Sequence, residues 1–242
     1  MSTTQAVRDA VEGIDSHLEA QLAPMRELAT RVAAIVGELG SGALREKDLA
    51  RLQPWVTSVL ETEPAYVSFG FAAAAGVMAE RDHYLLWFQR RAAGIGRLRL
   101  NLAQDDPDLY DYFDMEWFTG ADARRAPSIY GPYVDYAGAE FLVLTGAVPV
   151  EVEGRFVGVA GADMDPDVLE RWLVPMLRGL PGDAVVVNAD RSVLASGSAR
   201  WMPGERLTAH PSTAPEEWLE VAELAAWSGW TLALAAPEGG IG

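Results

Sequence analysis

The sequence predicts an α+β fold in which a long N-terminal helix precedes a central, mostly antiparallel sheet carrying short helical inserts. Three observations predict it. Large apolar residues recur in steps of three and four from Val7 through Val11, Ile14, Leu18, Leu22, Met25, Leu28, Val32 and Ile35 to Leu39, which is helical period. After Pro64 the texture changes to short apolar or alternating runs, which read as strands. Helices therefore come first and strands later, the order of an α+β chain.

Taken in order, the first helix contains Pro24, expected to kink it or divide it in two. Gly37, Gly40 and Gly42 end it. A helix of that length either pairs with a copy of itself, giving a homodimer, or packs across its own domain. Ala43–Leu60 reads as a second helix, with Leu44, Leu49, Leu52, Val56 and Leu60 on its apolar face. Tyr66–Phe71, His83–Gln89 and Arg97–Leu102 are strand candidates; the last alternates with period two, and Gly94 and Gly96 supply the turn before it.

Asp105–Gly120 opens on Asp-Asp-Pro and suggests a short aromatic helix. A loop with Pro127 and Gly131-Pro-Tyr-Val-Asp135 follows. Strands resume at Glu140–Val150 and Arg155–Ala162, with a turn at Glu153-Gly154. Asp163–Leu177 is read as a helix, Ala184–Asn188 and Ser192–Ala195 as a hairpin, Trp201–Pro215 as irregular, Glu216–Ala226 as a helix, Gly229–Ala236 as a final strand, and Glu238–Gly242 as a frayed end. The expected division is a helical segment over 1–60 and a sheet domain over 61–242.

Composition excludes several function classes. With 19 basic and 35 acidic residues the 242-residue chain carries a formal charge of −16, which repels phosphate backbones and anionic lipid and attracts cations, organic amines included. No nucleic-acid or membrane partner is expected. There is no cysteine, hence no disulfide and no thiolate chemistry. The three histidines, His17, His83 and His210, lack metal-ligand spacing, so no metal and no cofactor are expected. Phosphate-loop, dinucleotide-binding and Gly-x-Ser-x-Gly patterns are missing, and Lys47 is the only lysine. The start lacks a secretory pattern and no run is apolar enough to span a bilayer, so a cytoplasmic location is expected.

The informative segments are Tyr110-Asp-Tyr-Phe-Asp-Met-Glu-Trp-Phe118, Tyr130-Gly-Pro-Tyr-Val-Asp135 and Gly158-Val-Ala-Gly-Ala-Asp163. They offer Tyr110, Trp117, Phe118 and Tyr133 as aromatic walls, and Asp114, Glu116, Asp135 and Asp163 as carboxylates of one sign. Aromatic faces attract a cation by about 0.5–2 kcal/mol each, and a carboxylate adds a charge-assisted hydrogen bond. The same residues also fit plainer roles. Asp163 would cap the following helix, Glu116 would sit on a solvated face, and the aromatics would fill the core.

These blocks resemble the Cache (PAS-like) sensor family. Tyr110–Phe118 is similar to its tyrosine-then-Arg-x-Trp-Tyr stretch, and Gly131–Asp135 to its Pro-Tyr-Val-Asp loop. Val148-Pro-Val-Glu151 and Gly154–Asp163 resemble its closing hairpin, and Asn188-Ala-Asp-Arg191 its Asx-rich hairpin turn. The likeness covers roughly residues 65–197. It implies a PAS-like domain with a pocket between sheet and loops, binding amino acids or amines as the input part of a bacterial sensor. It further implies that Trp117 and Phe118 line that pocket, that Tyr110 and Tyr133 flank it, and that Asp163 holds a ligand ammonium.

Met115 stands where amino-acid-binding members carry an arginine, which moves the expectation from amino acids toward an amine or other small organic cation. The expected ligand-binding set is thus Tyr110, Glu116, Trp117, Phe118, Tyr133, Asp135 and Asp163, in a non-catalytic module that signals through a separate regulator protein. The competing readings are an enzyme using Glu116 and Asp163, and a dimerising structural protein with a vestigial pocket.

Overall fold

The computed structural model describes residues 2–40, 42–135 and 142–237. The frayed end expected at Glu238–Gly242, and the first two residues of the strand expected from Glu140, lie outside them. Contacts divide the described chain into two compact units, residues 22–165 and residues 2–21 with 166–237. This is not a division at residue 60, because the N-terminal helix has no core of its own and is built into both units.

That helix, α1 (Thr3–Leu39), runs through Pro24 undivided. Ile14, Leu18, Leu22, Met25, Leu28 and Val32 are all at most 1% exposed. Burying each such side chain contributes about 1.5–3 kcal/mol, which together outweighs the roughly 3 kcal/mol cost of one internal proline. The apolar stripe is thus covered without a second chain. No described helix is long and apolar enough to cross a membrane.

In the unit of residues 22–165, the expected second helix is two, α2 (Glu46–Ala50) and α3 (Gln53–Thr62). Pro54 at the start of α3 favours a fresh first turn over continuation. The strands β1 (Tyr66–Ala73), β2 (Leu85–Arg91), β3 (Gly94–Arg97), β4 (Ser128–Val134), β5 (Leu142–Val152) and β6 (Arg155–Met164) form one antiparallel sheet in the order β3-β2-β1-β6-β5-β4.

Two segments differ from the sequence expectation. The third strand lies at Gly94–Arg97 rather than Arg97–Leu102, leaving only the Leu98 amide, donating to Trp87 at 2.8 Å, to extend the ladder. The leucine alternation beyond it serves another purpose, described below. The expected loop around Pro132 is the edge strand β4. Its register breaks between Tyr130 and Tyr133, and such a bulge on an edge strand tolerates a residue that cannot donate. Gly131 there has φ +113°, and a Cβ would meet the Val143 carbonyl at 2.8 Å.

Side chains alternate across this sheet. One row, Phe69, Ala162 and Gly146, faces α3 and the later part of α1, with Trp55 against Phe69 and Met25 against Gly146. The opposite face is covered by α4 (Glu116–Arg124). The helix expected over Asp105–Gly120 is a short 3-10 turn at Tyr112–Asp114 followed by α4, because the Asp111 carboxylate accepts the Phe113 amide at 3.0 Å and fixes the turn there.

The other unit holds α5 (Pro166–Arg178) and the strands β7 (Asp183–Val187), β8 (Val193–Ser196), β9 (Glu220–Leu224) and β10 (Trp230–Ala235), in the order β8-β7-β10-β9. The described residues therefore form two sheets where one was expected. Glu216–Ala226, rich in helix formers, is not an α-helix: after a 3-10 turn at Pro215–Glu217, β9 pairs with β10 from Leu224↔Trp230 to Glu220↔Leu234, and ladder formation overrides propensity. His17 stacks on Trp172 with centroids 3.7 Å apart.

Candidate functional site

The site is built on one row of the larger sheet. Asp163 on β6 is the direct cross-strand partner of Ser68 on β1 and of Thr145 on β5. Directly opposed side chains share a face, so two hydroxyls flank one carboxylate. Thr145 Oγ1 donates to Asp163 Oδ1 at 2.7 Å, and Ser68 Oγ donates to Oδ2. Each hydroxyl then accepts from an aromatic residue. Trp87 Nε1 donates to Ser68 Oγ at 2.6 Å, and the Tyr133 hydroxyl donates to Thr145 Oγ1 at 2.9 Å. Since Ser68 and Thr145 spend their hydrogens on Asp163, both relays point inward to the carboxylate.

Asp163 is 7% exposed. Burial raises its pKa from the usual carboxylate range to about 6; the Ser68 and Thr145 hydrogen bonds pull the other way, and the charge of Asp135 raises it further. Tyr110 and Tyr133 are held protonated above the ordinary phenol range, by burial first and then by the nearby negative charge of Asp135 and Asp163.

These groups surround a narrow cleft of about 340 Å³, counting its mouth. Trp87 and Trp117 stand 6.0 Å apart at an interplanar angle of 43°, and the innermost space matches about one water molecule. Gly161 makes room for Trp87, since a Cβ there would lie 3.0 Å from the indole. Leu98 and Leu100, two residues apart on the extended stretch after β3, close the cleft with Leu85. Their alternation faces this cavity rather than a strand partner.

The structure brings together Tyr110, Trp117, Tyr133, Asp135 and Asp163 around the cleft. Two expected residues lie elsewhere. Phe118 is buried, but it packs edge-on against Tyr112 and Phe156 at 5.2 and 5.5 Å, because the residue after Trp117 on a helix points about a hundred degrees away. Glu116 is exposed in the first turn of α4, where a carboxylate complements the helix dipole. The Glu116–Asp163 pair of the enzyme reading is therefore not assembled. Helix capping is not what Asp163 does either, since both its oxygens accept from neighbouring strands.

Ser68, Thr145, Trp87 and the three leucines escaped the sequence reading. The signal for Ser68 and Thr145 was one polar residue each inside an apolar strand, Tyr66–Phe71 and Leu142–Val150, since a buried polar group needs a partner. Among the described residues, no group of three or more histidines and acids is placed to hold a metal ion.

Residues 51–171 match the family model described as methyl-accepting chemotaxis protein-like, first PDC sensor domain. The chain is similar in fold to the ligand-binding domain of the Campylobacter jejuni chemoreceptor Tlp3 in complex with L-valine, at TM-score 0.64 and 14% identity, covering 96% of this chain and 90% of that one. It is also similar to the ligand-binding domain of the Pseudomonas fluorescens chemoreceptor CtaA in complex with L-valine, at TM-score 0.59 and 16% identity, covering 96% and 94%.

Proposed function

This chain belongs to the family of methyl-accepting chemotaxis protein-like, first PDC sensor domains, and from that premise we propose that it is a non-catalytic sensor module whose ligand is a small organic amine. One observation carries the ligand class. The described residues lining the cleft include two carboxylates, Asp135 and Asp163, four aromatic rings and three leucines, and no basic side chain. An ammonium entering there meets an ion-pair partner already oriented by two hydroxyls, between aromatic faces that attract it. A ligand carboxylate meets only like charge, and Met115 offers it nothing.

The guest is small. Leu85, Leu98 and Leu100 ask for an aliphatic body behind the ammonium, and the narrow interior asks the Leu98–Leu100 stretch or Trp117 to move outward as it enters. That movement is the natural origin of a signal, read by a separate regulator protein. The cytoplasmic location is part of the same proposal, and fractionating the host's cytosolic, membrane and exported proteins tests it.

A second reading, an α-amino acid ligand, is favoured by the L-valine bound to both neighbours. It needs hydroxyl or backbone donors for the ligand carboxylate in place of a cation. A thermal-shift screen of primary amines, polyamines, choline and amino acids tests both. A true ligand at about a hundredfold above its Kd adds about 2.7 kcal/mol of stability. Stabilisation by amino acids and by no amine overturns the amine assignment.

A further inference from the structure

Trp87 on β2, Gly70 on β1 and Gly161 on β6 form one row of the larger sheet, Trp87 opposite Gly70 and Gly70 opposite Gly161. Opposed residues share a face. This is also the face of Ser68 and Asp163, each two residues along its strand from a glycine of the row. With no side chain on either glycine, the Trp87 indole lies across β1 and reaches β6. A Cβ on Gly161 would stand 3.0 Å from its Cη2 and 3.7 Å from its Cζ3.

The ring is fixed at both edges. Its Nε1 donates to Ser68 Oγ at 2.6 Å, its far edge rests on Gly161, and Trp87 is only 4% exposed. Rotation out of the cleft would break that hydrogen bond and leave a buried N–H unpaired, which is costly. Leu98 and Leu100, which line the same cleft, are held differently. Both are half-buried and lie past the end of β3. That wall yields, whereas the indole, ending beside Asp163, does not.

We infer that Trp87 is the specificity-determining residue of this cleft, confining the guest to a compact aliphatic body and excluding aromatic amines. The inference rests on the cleft around Asp163 being the ligand site. The innermost space matches about one water molecule, which is the size of an ammonium head. The body attached to that head must then pass the benzo edge of the indole toward Leu98 and Leu100. An aliphatic body bends round that edge through staggered rotamers. A rigid ring one carbon from the ammonium cannot bend, and it would have to displace an indole that is held at both ends.

The test is calorimetry of the full chain with isobutylamine and benzylamine, which share an ammonium on one methylene and differ only in the body. The parent should bind isobutylamine at least about tenfold tighter. Trp87→Leu opens the space beside Gly161 and should shift that ratio toward benzylamine by at least about tenfold. A merely structural role for Trp87 would weaken both amines alike and leave the ratio unmoved. Trp87→Phe, which keeps a ring in the core, should shift the ratio the same way and carries the test should Trp87→Leu fail to fold. Leu98→Ala, on the wall that yields, should change both affinities by the same factor. Equal binding of the two amines by the parent overturns the inference. So does a ratio that Trp87→Phe leaves unmoved, or that Leu98→Ala moves as far. If neither amine binds but L-valine or L-phenylglycine does, the amine assignment falls, and the ratio of those two, which carry the same bodies, decides on Trp87 in the same variants. Binding of none of the four overturns both.

Discussion

Thr145 and Asp163 face each other directly across strands β5 and β6, and the threonine hydroxyl donates to the aspartate at 2.7 Å. With Ser68 doing the same from β1, the sheet holds a buried carboxylate in a fixed orientation before any ligand arrives. Preorganisation of this kind lowers the ordering cost of binding. Recognition of an ammonium turns on that carboxylate.

Asp163→Asn should weaken amine binding while leaving the fold intact. The amide keeps the shape but not the charge, and a charge-assisted hydrogen bond in a buried site contributes about 1.5–3 kcal/mol. The expected loss in affinity is therefore at least about tenfold, measured by calorimetry. Unchanged affinity for a primary amine would remove Asp163 from the site.

Acid should affect stability and binding in opposite directions. The folded-state value of Asp163, about 6, lies above the unfolded value of 3.8, so the protonated form favours the fold. Its stabilisation is fully present below the unfolded value and is lost as pH rises through about 6. The effect amounts to about 3 kcal/mol. An ammonium needs the ionised form, so ligand affinity should fall as pH drops below about 6. Denaturant melts of the ligand-free chain between pH 4 and 7, beside titrations over the same range, check both signs; Asp163→Asn should flatten both profiles.

Ser68→Ala removes one donor to Asp163 and leaves the Trp87 N–H without its acceptor. The carboxylate should become harder to ionise, because hydrogen bonds to the charged form favour it. The midpoint of the binding-against-pH curve should move upward from that of the parent. A midpoint that stays fixed or moves down would show that Ser68 does not tune the acid.

Glu116→Gln should leave ligand affinity unchanged, since the residue is exposed and outside the cleft. Phe118→Ala should destabilise the protein by about 3–5 kcal/mol through lost packing, in denaturant unfolding, while any folded fraction binds amine normally. A selective loss of affinity in either variant would put that residue back in the site.

Much of this was legible in the sequence. The apolar stripe of α1 and the strands around Phe69 and Val159 follow from periodicity, while a pocket gathering Tyr110, Trp117, Tyr133 and Asp163 was implied by the family resemblance rather than by spacing. What could not be read depends on pairing. The strand around Pro132 exists because a bulge on an edge strand relieves a missing donor, and β9 exists because β10 lies beside it. Neither is a property of the local segment. Glu116 and Phe118 show the same limit at the site, since two neighbours of Trp117 on one helix turn point elsewhere. Ser68 and Thr145 are ordinary polar residues until strand register places them opposite Asp163.

The most direct test is a calorimetric comparison of isobutylamine with L-valine, two ligands that share an aliphatic body and an ammonium and differ by one carboxylate. With two acids and no base among the described residues lining the cleft, the amine should bind at least about tenfold tighter, a difference of about 1.4 kcal/mol. Tighter binding of L-valine would contradict the account, because it would mean that this site welcomes the very charge its carboxylates are placed to repel.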